Sequence, residues 1–170
     1  MITLCCSQKV RKRLGLPDKM PPPRPSTSIL GDWYVSLHHF GKHQVVMATS
    51  ERSLLSVVLP ARELRKTLEE SLRTGLHEVL LALRVDSALI QRELKEMETM
   101  GYSSATNRRV IGSMNELSMQ LGLHLERTAD PLAIALYLAH MPMFALGRGA
   151  DTHPFPDIVT RELFGLNGRG

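Results

Sequence analysis

Leucines at three- and four-residue steps dominate the middle of the chain. Leu64, Leu68, Leu72, Leu76, Val79, Leu80 and Leu83 recur with Glu and Arg between them, which predicts one long amphipathic helix after Pro60. Upstream the rhythm changes. Ile2–Cys6 is a short apolar run that reads as a buried strand, and Ser7 can cap a helix from Gln8 to Gly15 with Val10 and Leu14 inward. Asp32–Ser50 alternates like a hairpin, and Gly41-Lys42 fits a two-residue turn that pairs Phe40 with His43. That register puts Trp33, Val35, Leu37, Val46 and Ala48 on the core face. Tyr34, Ser36, His38, Phe40, His43, Val45 and Met47 take the other. Leu54–Leu59, closed by Pro60, reads as a further strand buried on both sides.

Past the leucine helix, Asp86 can cap a helix running to Met97, with Ala88, Leu89, Leu94 and Met97 apolar. A helix opening at Thr106 or Asn107 buries Val110, Met114, Leu117, Leu121 and Leu125, with Asn115 expected half-buried beside that stripe. Asp130-Pro131 is a cap followed by a first-turn proline, and Asp157–Phe164 fits a last short helix. The predicted fold is α+β: one small, mostly antiparallel sheet of about four strands, ordered β-α-β-β-β, with the later helices packed on it. A single domain is expected over 1–170, with a proline-rich internal linker at 17–28 and a loop-rich tail at 147–170.

Composition adds one local feature. The 170 residues are 43% hydrophobic and 22% charged, ordinary for a globular domain with a real core. Lys9, Arg11, Lys12, Arg13, Lys19 and Arg24 against Asp18 give residues 1–30 a net +5, so the rest of the +4 chain sums to −1. Any polyanion contact must therefore come from this basic patch, not from a high overall pI. Cys5 and Cys6 are adjacent and lack metal or redox spacing, which points to buried thiols in a reducing compartment. Charges follow the first apolar run rather than precede it, unlike a signal peptide. The most apolar segment, Pro131–Leu146, is shorter than a membrane helix of ~20 residues. A cytoplasmic protein with no membrane contact is expected.

The segments Thr3–Lys9, Leu30–Tyr34, Leu54–Pro60 and Arg109–Glu116 together resemble a family of small bacterial proteins described only as a domain of unknown function. The likeness covers roughly residues 1–125, and its best landmarks are Gly31-Asp32-Trp33-Tyr34 and Gly112-Ser113-Met114-Asn115. It implies a bacterial, intracellular, single-domain protein and carries no activity.

Familiar catalytic and cofactor signatures are absent: no P-loop, no dinucleotide glycine pattern, no Gly-x-Ser-x-Gly and no His-Glu-x-x-His. No cofactor is expected, and no metal either, since only His38 and His43 share a face and two ligands do not make a zinc site. Trp33 reads as a core anchor, with Tyr34 the better-placed ring for stacking. The sharpest feature is Thr106-Asn107-Arg108-Arg109. Two arginines in a first turn oppose the helix dipole, so they mark an anion site or pair with Glu93 or Glu96. Lys9, Arg11, Lys12 and Arg13 form a basic helical face, either plainly solvated or set against a nucleic-acid backbone.

Three readings follow. The first is a binding or regulatory protein contacting nucleic acid or a phosphate-bearing small molecule, in a mobile-element, defence or toxin–antitoxin system. The second is a small enzyme such as a ribonuclease, with Arg52, Arg108 or Arg109 stabilising charge while His38 or His43 moves protons. The third is a protein-interaction module using the apolar 132–146 segment. A protein partner or a homodimer is open under any of the three.

Overall fold

The computed structural model describes residues 1–147 and 154–169. Strands β1 (Ile2–Cys6), β2 (Trp33–Phe40), β3 (His43–Ser50), β4 (Ser56–Pro60) and β5 (Met100–Ser104) form one sheet in the order β4-β3-β2-β1-β5. The helices are α1 (Gln8–Leu14), α2 (Leu64–Ala82), α3 (Ser87–Glu96), α4 (Arg108–Leu125), α5 (Pro131–Ala139) and α6 (Pro156–Leu163), with a 3-10 turn at Phe144–Leu146.

The α+β class holds, but the sheet is mixed and five-stranded rather than mostly antiparallel with about four strands. β1 lies in its interior, parallel to β2 on one side and to β5 on the other, while β2, β3 and β4 form an antiparallel meander. Helix α1 and the linker carry the chain back between the parallel strands, as a crossover must. β5 has the sequence Met-Gly-Tyr-Ser-Ser and is half exposed on an edge, so it carries no apolar alternation of its own. The hairpin register is as expected, with Phe40 opposite His43 and Trp33 opposite Ser50. The β4 strand opens two residues late. Leu54 takes a left-handed φ of 58° in a turn where its N–H reaches Ser50 O.

Both faces of the sheet are covered. Trp33, Val35, Leu37, Val46, Ala48, Val57 and Leu59 meet the α2 leucines, Val10 of α1 and Ile90 of α3 in one core. Tyr34, Met47 and Val58 meet Val110, Met114, Leu117 and Leu121 of α4 in the other. Helix α5 closes the β4 edge: Ala135 and Ala139 join the first core, Ile134 and Leu138 the second. An apolar surface almost all round is what that position demands.

Alternation along β4 turns Pro60 to the outside, where a residue without an N–H leaves no donor for a foreign strand. At the opposite edge Ser103 Oγ donates to Pro21 O (2.7 Å), which lays the proline-rich linker against β5.

The linker's return into β2 is fixed by a buried carboxylate. Glu93 is fully buried and accepts from Ser28 Oγ and from the backbone N–H groups of Ile29 (2.9 Å) and Leu30 (3.0 Å). Arg52 Nη1 donates to the Ser28 and Ile29 carbonyls (3.0 and 3.2 Å) from the other side. Asp32 Oδ1 takes the Thr3 N–H (2.7 Å). Gly31, at φ +78°, turns the chain between these contacts with Arg52 packed against it.

Candidate functional site

β1 and β5 end level with each other, at Cys6 opposite Ser104, while β2 runs on for five residues beyond Val35. From these ends the chain departs to opposite faces. After β1 it enters α1, whose Val10 lies in the first core; after β5 it enters α4, whose Val110 and Met114 lie in the second. A notch remains where the two strands stop, with a cavity of about 210 Å³. Open sheets with parallel strands place ligands in this kind of crevice, outside the carboxyl ends of strands whose connections diverge. Ser7 at the α1 cap, Tyr34, Ser36 and His38 of β2, and Ile111, Met114 and Asn115 of α4 line it.

Its polar groups are few and ordered. Ser36 Oγ lies 2.7 Å from His38 Nε2, two residues along one strand face. Burial lowers the His38 pKa, helped by the positive charge of Lys9 and by His39, so the imidazole favours its neutral form. Burial raises the Tyr34 pKa strongly, as does neighbouring Cys5, and keeps this hydroxyl a phenol. Cys5 is pushed up to about 12 by burial and by Asp32, and Cys6 to about 12 by burial and by Cys5. Neither offers a thiolate near neutral pH.

The basic helix divides. Lys9 and Lys12 are exposed and make no hydrogen bond or ion pair among the described residues, and Arg13 reaches Gln44 Oε1 (3.4 Å). Arg11, expected outward with the others, folds back to give Nη1 to Cys6 O (2.9 Å), the last carbonyl of β1.

The arginine pair of α4 divides too. Asn107 is the cap, and its Oδ1 already accepts from the Arg109 and Val110 N–H groups (3.0 and 3.4 Å); Thr106 precedes it, exposed. Arg109 donates to the carbonyls of Glu51 (2.7 Å) and Ala145 (3.3 Å), joining two loops. Arg108 is exposed with no partner among the described residues. Glu93 and Glu96, the carboxylates expected to pair with these arginines, do other work. Glu93 holds the linker return, and Glu96 pairs with the Met1 amino group (3.1 Å) and Thr27.

His43 is exposed at the hairpin end and Arg52 is bound to the linker return, so neither joins His38 in the notch. Among the described residues no group of three His, Cys, Asp or Glu side chains is placed to hold a metal ion. Among the described residues no helix is long and apolar enough to cross a membrane. The apolar 132–146 segment turns Ile134, Ala135, Leu138, Ala139 and Met143 into the interior; Tyr137 and Phe144 are the large apolar side chains it leaves outside. Asn115 is exposed at the notch rim rather than half-buried. Sequence reasoning passed over Ser36 as a site residue. Its signal was the Ser36–His38 alternation on a strand that outruns its neighbour.

Two comparisons complete the site. The sequence model of a protein family described as Domain of unknown function (DUF6933) matches residues 3–158. No curated protein matches the chain.

Proposed function

The chain belongs to the DUF6933 family, whose description assigns no activity, and from its site alone we propose that it binds a phosphate-bearing ligand at the β1/β5 notch. One observation carries this reading: a small crevice at the ends of two parallel strands, lined by Ser7, Ser36, His38 and Asn115 beside a cation, Lys9, that no carboxylate neutralises among the described residues. Hydroxyl, amide and imidazole groups offer directional hydrogen bonds to phosphate oxygens, and Lys9 with Lys12 adds charge. A volume of about 210 Å³ suits a phosphate with part of a sugar, or the backbone of a nucleic-acid strand lying across α1, rather than a whole dinucleotide. The setting in mobile-element, defence or toxin–antitoxin systems gains no support from this geometry.

A hydrolytic reading, as in a ribonuclease, has one supporting contact, the Ser36–His38 pair with its neutral imidazole. It lacks the second proton-transfer group and the arginine that the reaction calls for, because His43 and Arg52 lie elsewhere.

Titration of the 15N-labelled protein with inorganic phosphate, adenosine and adenosine monophosphate tests the proposal. Phosphate and the monophosphate should move the amide signals of Ser36, His38 and Asn115, adenosine should not, and Lys9→Ala should weaken the response. No shift at millimolar phosphate, or shifts only at distant residues, would remove the notch as a site. Single-stranded RNA with the same footprint and a salt slope that falls in Lys9→Ala/Lys12→Ala would extend the reading to nucleic acid.

A further inference from the structure

The proline-rich segment is tied down at both ends and open between them. At one end Ser103 Oγ donates to Pro21 O (2.7 Å). At the other, the Thr27 N–H reaches Met1 O (3.1 Å), and buried Glu93 holds Ser28, Ile29 and Leu30. Between these anchors Pro21, Pro22, Pro23, Arg24 and Pro25 are all exposed. The carbonyls of residues 22–25 accept no hydrogen bond among the described residues.

The conformation follows from the sequence. Proline fixes φ near about −65°, and a residue that precedes proline is pushed into extended backbone. Met20, Pro21, Pro22 and Arg24 each precede a proline, so the run over 20–25 favours polyproline II, with three residues per turn. Burial keeps the same period. Met20 and Ser26, two turns apart, are half-buried, which turns the ridge of 20, 23 and 26 towards the protein. The ridge of Lys19, Pro22 and Pro25 and that of Pro21 and Arg24 are exposed along their length.

A ridge of this kind is a preformed ligand. It is stiff, its carbonyls are free, and the two anchors lower the ordering cost of binding further. Aromatic-lined grooves grip two prolines three residues apart, and a carboxylate at the groove rim takes a neighbouring cation. Pro22 and Pro25 have that spacing, and Lys19 stands one turn earlier on the same ridge. Neither Lys19 nor Arg24 has a hydrogen-bond or ion-pair partner among the described residues. Lys19 to Pro25 spans about 19 Å at about 3.1 Å per residue. Shielding the β5 edge uses only the inward ridge and leaves the other two without a task.

We propose that residues 19–25 are a docking strand for a protein partner whose groove is lined by aromatic rings and rimmed by carboxylates, as in SH3 domains. The basic excess of residues 1–30 selects the acidic rim. The proposal does not depend on a ligand in the β1/β5 notch.

The probe is a 15N-labelled SH3 domain that selects Lys/Arg-x-x-Pro-x-x-Pro ligands, titrated with the full chain. Signals of its aromatic groove should shift. Pro22→Ala and Pro25→Ala should each weaken binding about tenfold with an unchanged circular dichroism spectrum, since both rings are already in solvent. Lys19→Glu should weaken it most at low salt, while Pro17→Ala, outside the strand, should leave it unchanged. Absence of binding at high micromolar concentration across SH3 domains of this selectivity would overturn the proposal. So would binding that survives Pro22→Ala/Pro25→Ala, or binding by an isolated 16–28 peptide but not by the folded chain, because the ridge would then be closed to a partner.

Discussion

Glu93→Ala should be among the most destabilising single changes outside the apolar cores. The side chain is fully buried and satisfies three donors: Ser28 Oγ and the Ile29 and Leu30 N–H groups. A hydrogen bond to a charged acceptor contributes about 1.5–3 kcal/mol net, and a buried donor left unpaired costs about 1–3 kcal/mol. The three contacts do not add, because alanine also removes the cost of burying the carboxylate. The expected loss is therefore about 3–5 kcal/mol. Glu93→Gln keeps the shape and one acceptor oxygen, so it should lose roughly half as much. Urea unfolding reads this directly, because Trp33, the only tryptophan, is fully buried just past the held segment. A loss below about 1 kcal/mol for Glu93→Ala would refute the reasoning and show that the linker return is held by Arg52 and packing instead.

Arg109→Ala should cost about 1 kcal/mol through its two loop carbonyls, phosphate present or not, while Arg108→Ala should be neutral or slightly stabilising, since it relieves the dipole; thermal melts with and without phosphate separate the two. His38 has a folded-state pKa below its unfolded value, so the stability it contributes is present above about pH 6.5 and lost as pH falls through the folded pKa. His38→Gln should flatten that part of the melting temperature against pH, and an unchanged profile would contradict its burial. Trp33→Ala should cost ~3–5 kcal/mol or leave the chain insoluble, checked by urea unfolding followed by circular dichroism; a stable mutant impaired only in ligand binding would assign the ring to the site.

What the sequence made legible was local. The α2 stripe, the Phe40–His43 register and the caps at Ser7, Asn107 and Asp130 each depend on residues a few positions apart. Asp86 shows the limit, standing at the cap position of α3 without making the side-chain bond. The rest depends on distant neighbours. β5 is a strand because β1 lies beside it, Glu93 is buried because the linker returns over it, and Arg11 turns inward because β1 ends at its feet. The basic residues fall on α1, but which of their charges remain available is decided by acceptors that no spacing reveals. The notch was invisible for the same reason, since it exists only where two strands stop and a third continues.

The placement of β1 also sets an order on assembly. One neighbour of this strand begins at residue 33 and the other at residue 100. Closing the longer loop costs only about 1 kcal/mol more entropy than closing the shorter, because that cost grows with the logarithm of length. Time is a different matter. On the ribosome the β2–β3–β4 meander and α2 can form from local contacts, while Ile2–Cys6 keeps one side unpaired until residues past 104 have emerged. Of the five strands, β1 waits longest for its second neighbour in the sheet.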